Sequence, residues 1–277
     1  MKNIEEPPQQ LYAEGNLELL NSKAISIIGS RVCSISGINS AKQFAKDLAS
    51  KGITIISGMA VGIDTAAHIG CLEAGGNTIA VLGCGFNNIF PKENIKLYHR
   101  IIENNGLVIS EYPPETLKSS EKFLERNRIV SGLSIGVLVI EAAYRSGTSV
   151  TAALAKKQKK EVFCIPHELN DKHGVGTNRL IKNGAHLVTC ADDILRQFDF
   201  LKGKASNTKN EKDFEQLEFC EPEQYADVYN ALIGPPANVD EICARINKPS
   251  QYVNNALFTL ELQGFITKTQ YGYQVAV

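Results

Sequence analysis

The apolar residues of this chain come in short Val/Ile/Leu runs, each ending in a small or polar residue and followed by a stretch with helical spacing. Ile25–Ile28 precedes a helix predicted over Asn39–Lys51, where Ala41, Phe44, Ala45 and Leu48 share one face. Ile53–Ile56 precedes Asp64–Glu73, Thr78–Leu82 precedes a loop and the helix Asn94–Glu103, and Gly136–Ile140 precedes Ser149–Lys159. Leu107–Ser110 leads into a long connection that contains Pro113 and Pro114. Glu161–Ile165, Thr177–Asn183, His186–Val188 and Asp192–Phe198 complete the alternation. Continuous apolar strands separated by helices belong to a parallel sheet covered on both faces. The expected fold is α/β: an extended Rossmann-like doubly wound sheet over residues 22–200, after a short lead-in over 1–21.

The pattern changes after residue 200. Residues 201–224 are polar, turn-prone and charged, and read as a linker. Residues 225–277 form a smaller unit. Ala226–Ile233 is a short helix, broken by Gly234-Pro235-Pro236. Asn238 and Glu241 make a capping box for Val239–Ile246. Ser250 caps Gln251–Leu262, which Gly264 ends. Phe265–Lys268 and Tyr273–Val277 alternate like the strands of a hairpin around Gln270–Gly272. Three helices and a hairpin predict a winged helix.

Composition narrows the partners. The net charge of −1 hides an uneven distribution: residues 22–198 carry 21 basic and 15 acidic groups, while both flanks are acidic. A basic middle suits a polyanion, although a solvated surface has the same charge. No apolar run is long enough for a membrane span, and the start lacks a signal-peptide pattern. The seven cysteines include no C-x-x-C pair, which fits free thiols in a reducing cytoplasm. His167 and His173 are isolated and read as polar loop residues, so no metal site is expected.

The candidate chemistry sits where strands end. Ile25–Ile28 runs into Gly29-Ser30-Arg31, a glycine, a hydroxyl and a cation at the carboxyl edge, where α/β sheets bind anions. Gly58-Met59-Ala60-Val61-Gly62-Ile63-Asp64 is a glycine-rich strand-to-helix loop, suited to close ligand approach or to tight packing. Asp64 and His68 share a helical face, as an acid–base pair or as structural groups. Ser146-Gly147-Thr148 opens a helix and fits a phosphate or a simple cap. Arg126 and Arg128 would diverge by about 200° on a helix, so one would bind an anion and the other anchor the fold. Lys156, Lys157, Lys159 and Lys160 fit a solvated helix end. No P-loop, dinucleotide fingerprint or Ser–His–Asp signature is present, so no cofactor is expected.

In order along residues 10–190, these motifs closely resemble the DNA-processing protein A family (DprA, also called Smf). The matching stretches are Gly29-Ser30-Arg31 with Ser34 and Gly37, Ser57–Asp64 with Ala67-His68, Thr78–Gly85, and Pro91 with Asn94. They continue through Ser110-Glu111, Arg126-Asn127-Arg128, Glu141, Ser146-Gly147-Thr148 with Thr151, and Gly176-Thr177-Asn178 with Leu180-Ile181. Pro166-His167-Glu168 and Ser36 depart from the family pattern. So do the roughly 20 residues before the first strand, too few for the N-terminal helical module of many members.

The resemblance implies a non-enzymatic homodimer that binds incoming single-stranded DNA and loads RecA onto it during natural transformation. On that basis Arg31, with the Gly29 and Ser30 backbone, is expected to hold one phosphate. Arg126 or Arg128, and the Ser146–Thr148 amides, are expected to hold others. Lys118 and Lys122 would extend the track, and Phe123 is either a stacking surface or core. Gly58, Gly62, Asp64 and His68 form the neighbouring loop. The third C-terminal helix lacks Lys and Arg, so that domain is expected to contact protein rather than DNA. Two alternatives share the same crest. One is a nucleotide phosphoribohydrolase of the lysine-decarboxylase-like (LOG) type, although Thr151 stands where that motif has its glutamate. The other is a binder of a small nucleotide.

Overall fold

The computed structural model describes Ile4 and residues 6–143, 146–198, 225–233, 235–262, 265–269 and 272–275. The chain divides into two compact units, Met1–Ala205 and Ser206–Val277.

The first unit is built on an eight-stranded sheet in the order β1-β5-β4-β3-β2-β6-β7-β8. Its strands are β1 (Tyr12–Gly15), β2 (Ala24–Ile28), β3 (Thr54–Ser57), β4 (Thr78–Leu82), β5 (Leu107–Ser110), β6 (Gly136–Val139), β7 (Glu161–Cys164) and β8 (His186–Leu187). All neighbours pair parallel except β1, which runs antiparallel along β5. Strands β2 to β6 are buried along their whole length, as continuous apolar runs require.

Alternate strand residues feed opposite layers. Ile25, Ile27, Ile55 and Leu138 pack on α1 (Ile35–Ser50) and α2 (Ile63–Glu73). Ile28, Ile56, Val137 and Val139 pack with residues of α4 (Ser120–Leu133) and α5 (Gly147–Lys157). Between these helices in the chain, α3 (Ile95–Glu103) buries Leu97, Tyr98 and Ile101 against Met59, Ala80, Leu82 and Val108. Helices α6 (Val175–Lys182) and α7 (Ala191–Arg196) close the series.

Several boundaries differ from the sequence expectation. Helix α1 begins at Ile35 rather than Asn39, because Ser34 caps it through a bond from the Gly37 N–H at 2.9 Å. Helix α4 occupies much of the long connection after β5, for which no helix is predicted from the sequence. Its first half is polar, its inward positions include Arg126, and Ser119 caps it. Strand β1 is a short edge strand with exposed side chains, too brief to announce itself by alternation. The lysine cluster includes the last turn of α5, where Lys156 donates to the Asn183 carbonyl at 2.7 Å.

The second unit contains α8 (Ala226–Ala231), α9 (Val239–Ile246), α10 (Ser250–Leu262) and the antiparallel pair β9 (Ile266–Thr269) and β10 (Gly272–Val275). The Asn238/Glu241 capping box is present in both directions, at 2.9 and 3.0 Å. Val228, Leu232, Ile242, Val253, Leu257, Leu260 and Ile266 form its core. Ser250 lies inside α10 rather than before it. The linker over 201–224, Arg145, Gly234, Gly264, Gln270 and Cys220 fall outside the described residues. The other six cysteines are free thiols.

Candidate nucleic-acid interface

Strand order reverses between β2 and β6, so the loops after these two strands diverge and leave a crevice at the carboxyl edge. An open cleft of about 750 Å³ lies there. Gly29, Ser30 and Arg31 line one side, Ser146, Gly147 and Thr148 another, and Phe123 and Arg126 of α4 a third. Gly58, Ala60 and Asp64 line it as well. The structure thus gathers in one place residues that the sequence spreads over more than a hundred positions.

Arg31 is exposed, and no carboxylate pairs with it among the described residues. Its loop is fixed from several sides. Ser30 Oγ donates to the Val32 carbonyl at 2.6 Å and accepts from the Val32 N–H, so this hydroxyl shapes the turn. The Ser30 carbonyl accepts from the Ile63 N–H at the start of α2. Gly62 stands at φ 84°, and a Cβ there would come within 2.5 Å of the Ser30 carbonyl oxygen. Glycine therefore lets the α2 loop close on the Arg31 loop. At the far end, Glu141 is fully buried beyond β6. Its carboxylate accepts from the Ser34 backbone N–H at 3.1 Å and the Ser34 hydroxyl at 2.5 Å. Across the cleft Ser146 caps α5, leaving the Gly147 and Thr148 N–H groups without intrahelical acceptors at the positive end of the helix.

The tandem arginines separate as helical geometry requires, but neither is an outward cation. Arg126 is 3% exposed and forms part of the cleft floor. Its Nη1 donates to the Gly58 carbonyl at 2.5 Å and to the Val81 carbonyl. A Cβ at Gly58 would lie 2.6 Å from Arg126 Nη2 and 2.8 Å from Asp64 Oδ2, so that glycine makes room for both charges. Arg128 lies outside the cleft lining and binds Glu111 at 2.6 Å. Of the two expected as alternative phosphate ligands, only Arg126 lines the cleft, and there its guanidinium is engaged by two backbone carbonyls. Arg126 anchors strand ends, and Arg128 is matched by a carboxylate.

Burial pushes the Asp64 carboxyl above its ordinary range, opposed by the nearby Arg126 and Arg31 charges and the Ala60 N–H. His68 makes no hydrogen bond to Asp64. Its Nδ1 lies 2.7 Å from Thr78 Oγ1, and the imidazole is fully buried away from the cleft lining. Thr78 donates to the Ile55 carbonyl, so it accepts from His68 Nδ1–H. Burial and Arg126 together hold the His68 pKa down at about 3. The unfolded chain takes this proton near pH 6.5 and the folded one only near pH 3. Stability is therefore expected to fall as pH drops through that window, by about 1.4 kcal/mol per unit. Urea melts at successive pH values measure the slope. His68→Asn, which keeps a donor to Thr78, is expected to flatten it.

At the cleft wall Phe123 is half-buried and sits against Gly83, while Lys118, exposed, and Lys122, partly so, lie outside the cleft lining. The cleft also includes Asn127, Lys172 and His173, which sequence reasoning did not select. The Ala142 N–H donates to the His173 carbonyl, and His173 Nδ1 lies 3.7 Å from Glu141. Lys172 and Arg31 line the same cleft, although 141 positions separate them in the sequence. Thr151 lines the cleft, and its hydroxyl donates to the Gly147 carbonyl at 3.2 Å. Among the described residues no cluster of metal-ligating side chains occurs, and no helix is long and apolar enough to cross a membrane.

The family model for DNA recombination-mediator protein A matches residues 1–199. Protein Smf of Escherichia coli (strain K12) is 38% identical over 270 residues, 96% of this chain and 71% of that protein. DNA processing protein DprA of Streptococcus pneumoniae is 41% identical over 200 residues, 72% of this chain and 70% of that protein. The X-ray structure of DprA from Streptococcus pneumoniae matches with a TM-score of 0.69 at 40% identity, covering 72% of this chain and 70% of that one. DNA processing protein A from Helicobacter pylori, whose structure is described for its single-stranded DNA binding mode, matches with a TM-score of 0.66 at 33% identity. That match covers 72% of this chain and 90% of the other.

Proposed function

The chain belongs to the DNA recombination-mediator protein A family, and from that membership we propose that it binds and protects single-stranded DNA in the cleft between β2 and β6. The observation that carries the proposal is Arg31, an exposed cation without a carboxylate partner among the described residues, on a braced loop opposite the α5 amides that have no intrahelical acceptor. Phosphates from a flexible strand meet both walls. Arg31 takes one and the Gly147 and Thr148 N–H groups take another. Lys118, Lys122 and Phe123 extend the surface toward the start of α4. Such contacts hold the backbone and are largely blind to sequence. The related protein from Helicobacter pylori, described for binding single-stranded DNA, supports this choice of ligand. Action as a homodimer in the cytoplasm, with transfer of the strand to RecA during transformation, completes the proposal.

A labelled oligodeoxynucleotide tests it. Unlabelled single strands are expected to displace the label at far lower nucleotide concentration than a mononucleotide does. Equal displacement would favour a small-nucleotide binder. A LOG-type hydrolase needs a carboxylate where Thr151 stands, so no release of base from a nucleoside monophosphate is expected.

The second unit is proposed to be a winged helix that contacts protein. The exposed positions of α10 carry Ser250, Gln251, Asn254, Asn255, Phe258 and Glu261, with no cation to meet a phosphate. Deleting residues 225–277 is expected to leave single-strand affinity nearly unchanged. A loss of about tenfold or more would assign the unit a share of the DNA contact.

A further inference from the structure

Aromatic side chains continue past Arg31 along the carboxyl edge. The Arg31 guanidinium carbon lies 5.3 Å from the centroid of the Phe123 ring. The Phe123 and Phe90 centroids are 5.9 Å apart, with their planes inclined by 39°. Lys118 Nζ lies 3.4 Å from the centroid of Phe90. Cation, ring, ring and cation thus form one continuous ribbon. Both rings are half-buried and both cations are exposed.

The ribbon is firmly seated. Phe123 rests on Gly83, where a Cβ would come within 2.5 Å of its ring. Phe90 packs against the cluster formed by β4 and α3. Neither Lys118 nor Arg31 has a carboxylate partner among the described residues. Ring packing alone would not require an unpaired cation at each end. A nucleotide presents the complement: a flat base for a ring and a phosphate for a cation. At an exposed site an ammonium holds a phenyl ring more weakly than a base stacks on it. A base stacked on Phe90 would thus displace the Lys118 ammonium and free it for the next phosphate.

We propose that Phe90 and Lys118 form a second base-and-phosphate subsite, so that a single strand leaves the cleft across Phe123 and Phe90 toward Lys118. The inference rests on the cleft binding single-stranded DNA and adds the direction of the strand.

The full chain is titrated with oligo-dT of increasing length, as wild type and as Phe90→Leu, Lys118→Gln and Arg31→Ala. Phe90→Leu is expected to lose about tenfold on long oligonucleotides and nothing on the shortest that still bind. Lys118→Gln, a surface change that leaves the core intact, is expected to lower the salt slope on long oligonucleotides by about 0.7. An abasic residue moved along the oligonucleotide is expected to cost wild type about tenfold at one position and to cost Phe90→Leu nothing there. Wild-type affinity in both Phe90→Leu and Lys118→Gln, with Arg31→Ala impaired, would overturn this subsite and leave the cleft standing. Equal abasic costs in wild type and Phe90→Leu at every position would overturn it as well. If Arg31→Ala also binds like wild type, the cleft reading fails and this inference falls with it.

Discussion

Arg31→Ala is expected to weaken single-stranded DNA binding by about 2–3 kcal/mol, roughly 30- to 150-fold at moderate salt. The change removes an exposed guanidinium that is ion-paired to no carboxylate among the described residues, so little is given back by freeing a partner. Its loop is braced by Ser30, Gly62 and the Glu141–Ser34 pair, so the backbone is expected to stay in place. The loss is therefore expected in DNA affinity rather than in thermal stability. Arg31→Lys keeps the charge but not the planar fork, and is expected to fall between wild type and Arg31→Ala. Fluorescence anisotropy with a labelled oligonucleotide measures each. Wild-type affinity in Arg31→Ala would remove this residue from the interface.

Arg126→Met is expected to act on the fold, at about 3–5 kcal/mol. The buried guanidinium joins the Gly58 and Val81 carbonyls at the ends of β3 and β4 and lies close to the buried Asp64 carboxyl. Methionine leaves both carbonyls short of a donor and the carboxylate without its cation. The midpoint of urea unfolding is expected to drop with little change in slope. Without Arg126 the Asp64 pKa rises further in the folded state, which then binds a proton that the unfolded chain releases. Stability is therefore expected to recover partly as pH falls toward the ordinary aspartate range, and Asp64→Asn to rescue part of the loss at neutral pH. A loss below about 1 kcal/mol would show that these strand ends do not depend on Arg126.

These two arginines mark what the sequence could carry. Parallel α/β architecture was legible because β2 to β6 are apolar on both faces, a pattern with few other solutions. That Gly29-Ser30-Arg31 stands at the carboxyl edge was legible because charge at the end of a buried strand has to face outward. Arg126 was not so easily placed. Two residues along α4 from each other, Arg126 and Arg128 differ only in what lies opposite, and the sequence does not state that Gly58 and Gly83 leave space beneath the helix. Helix α4 itself lacked a clean apolar stripe, since a buried arginine and a half-buried phenylalanine occupy inward positions. Lys172 and Phe90 carried no local signal at all. Lys172 reaches the cleft, and Phe90 reaches Phe123, only through loops set by the sheet order.

The salt dependence of binding tests the central claim most directly. Wild-type affinity is measured for a single-stranded oligonucleotide and a duplex of equal length across a range of salt concentrations. The cleft predicts tighter binding of the single strand, with the logarithm of affinity falling steeply and linearly with the logarithm of salt, by about 0.7 for each phosphate held. Affinity that barely changes with salt, or a duplex bound as tightly as the single strand, would contradict it.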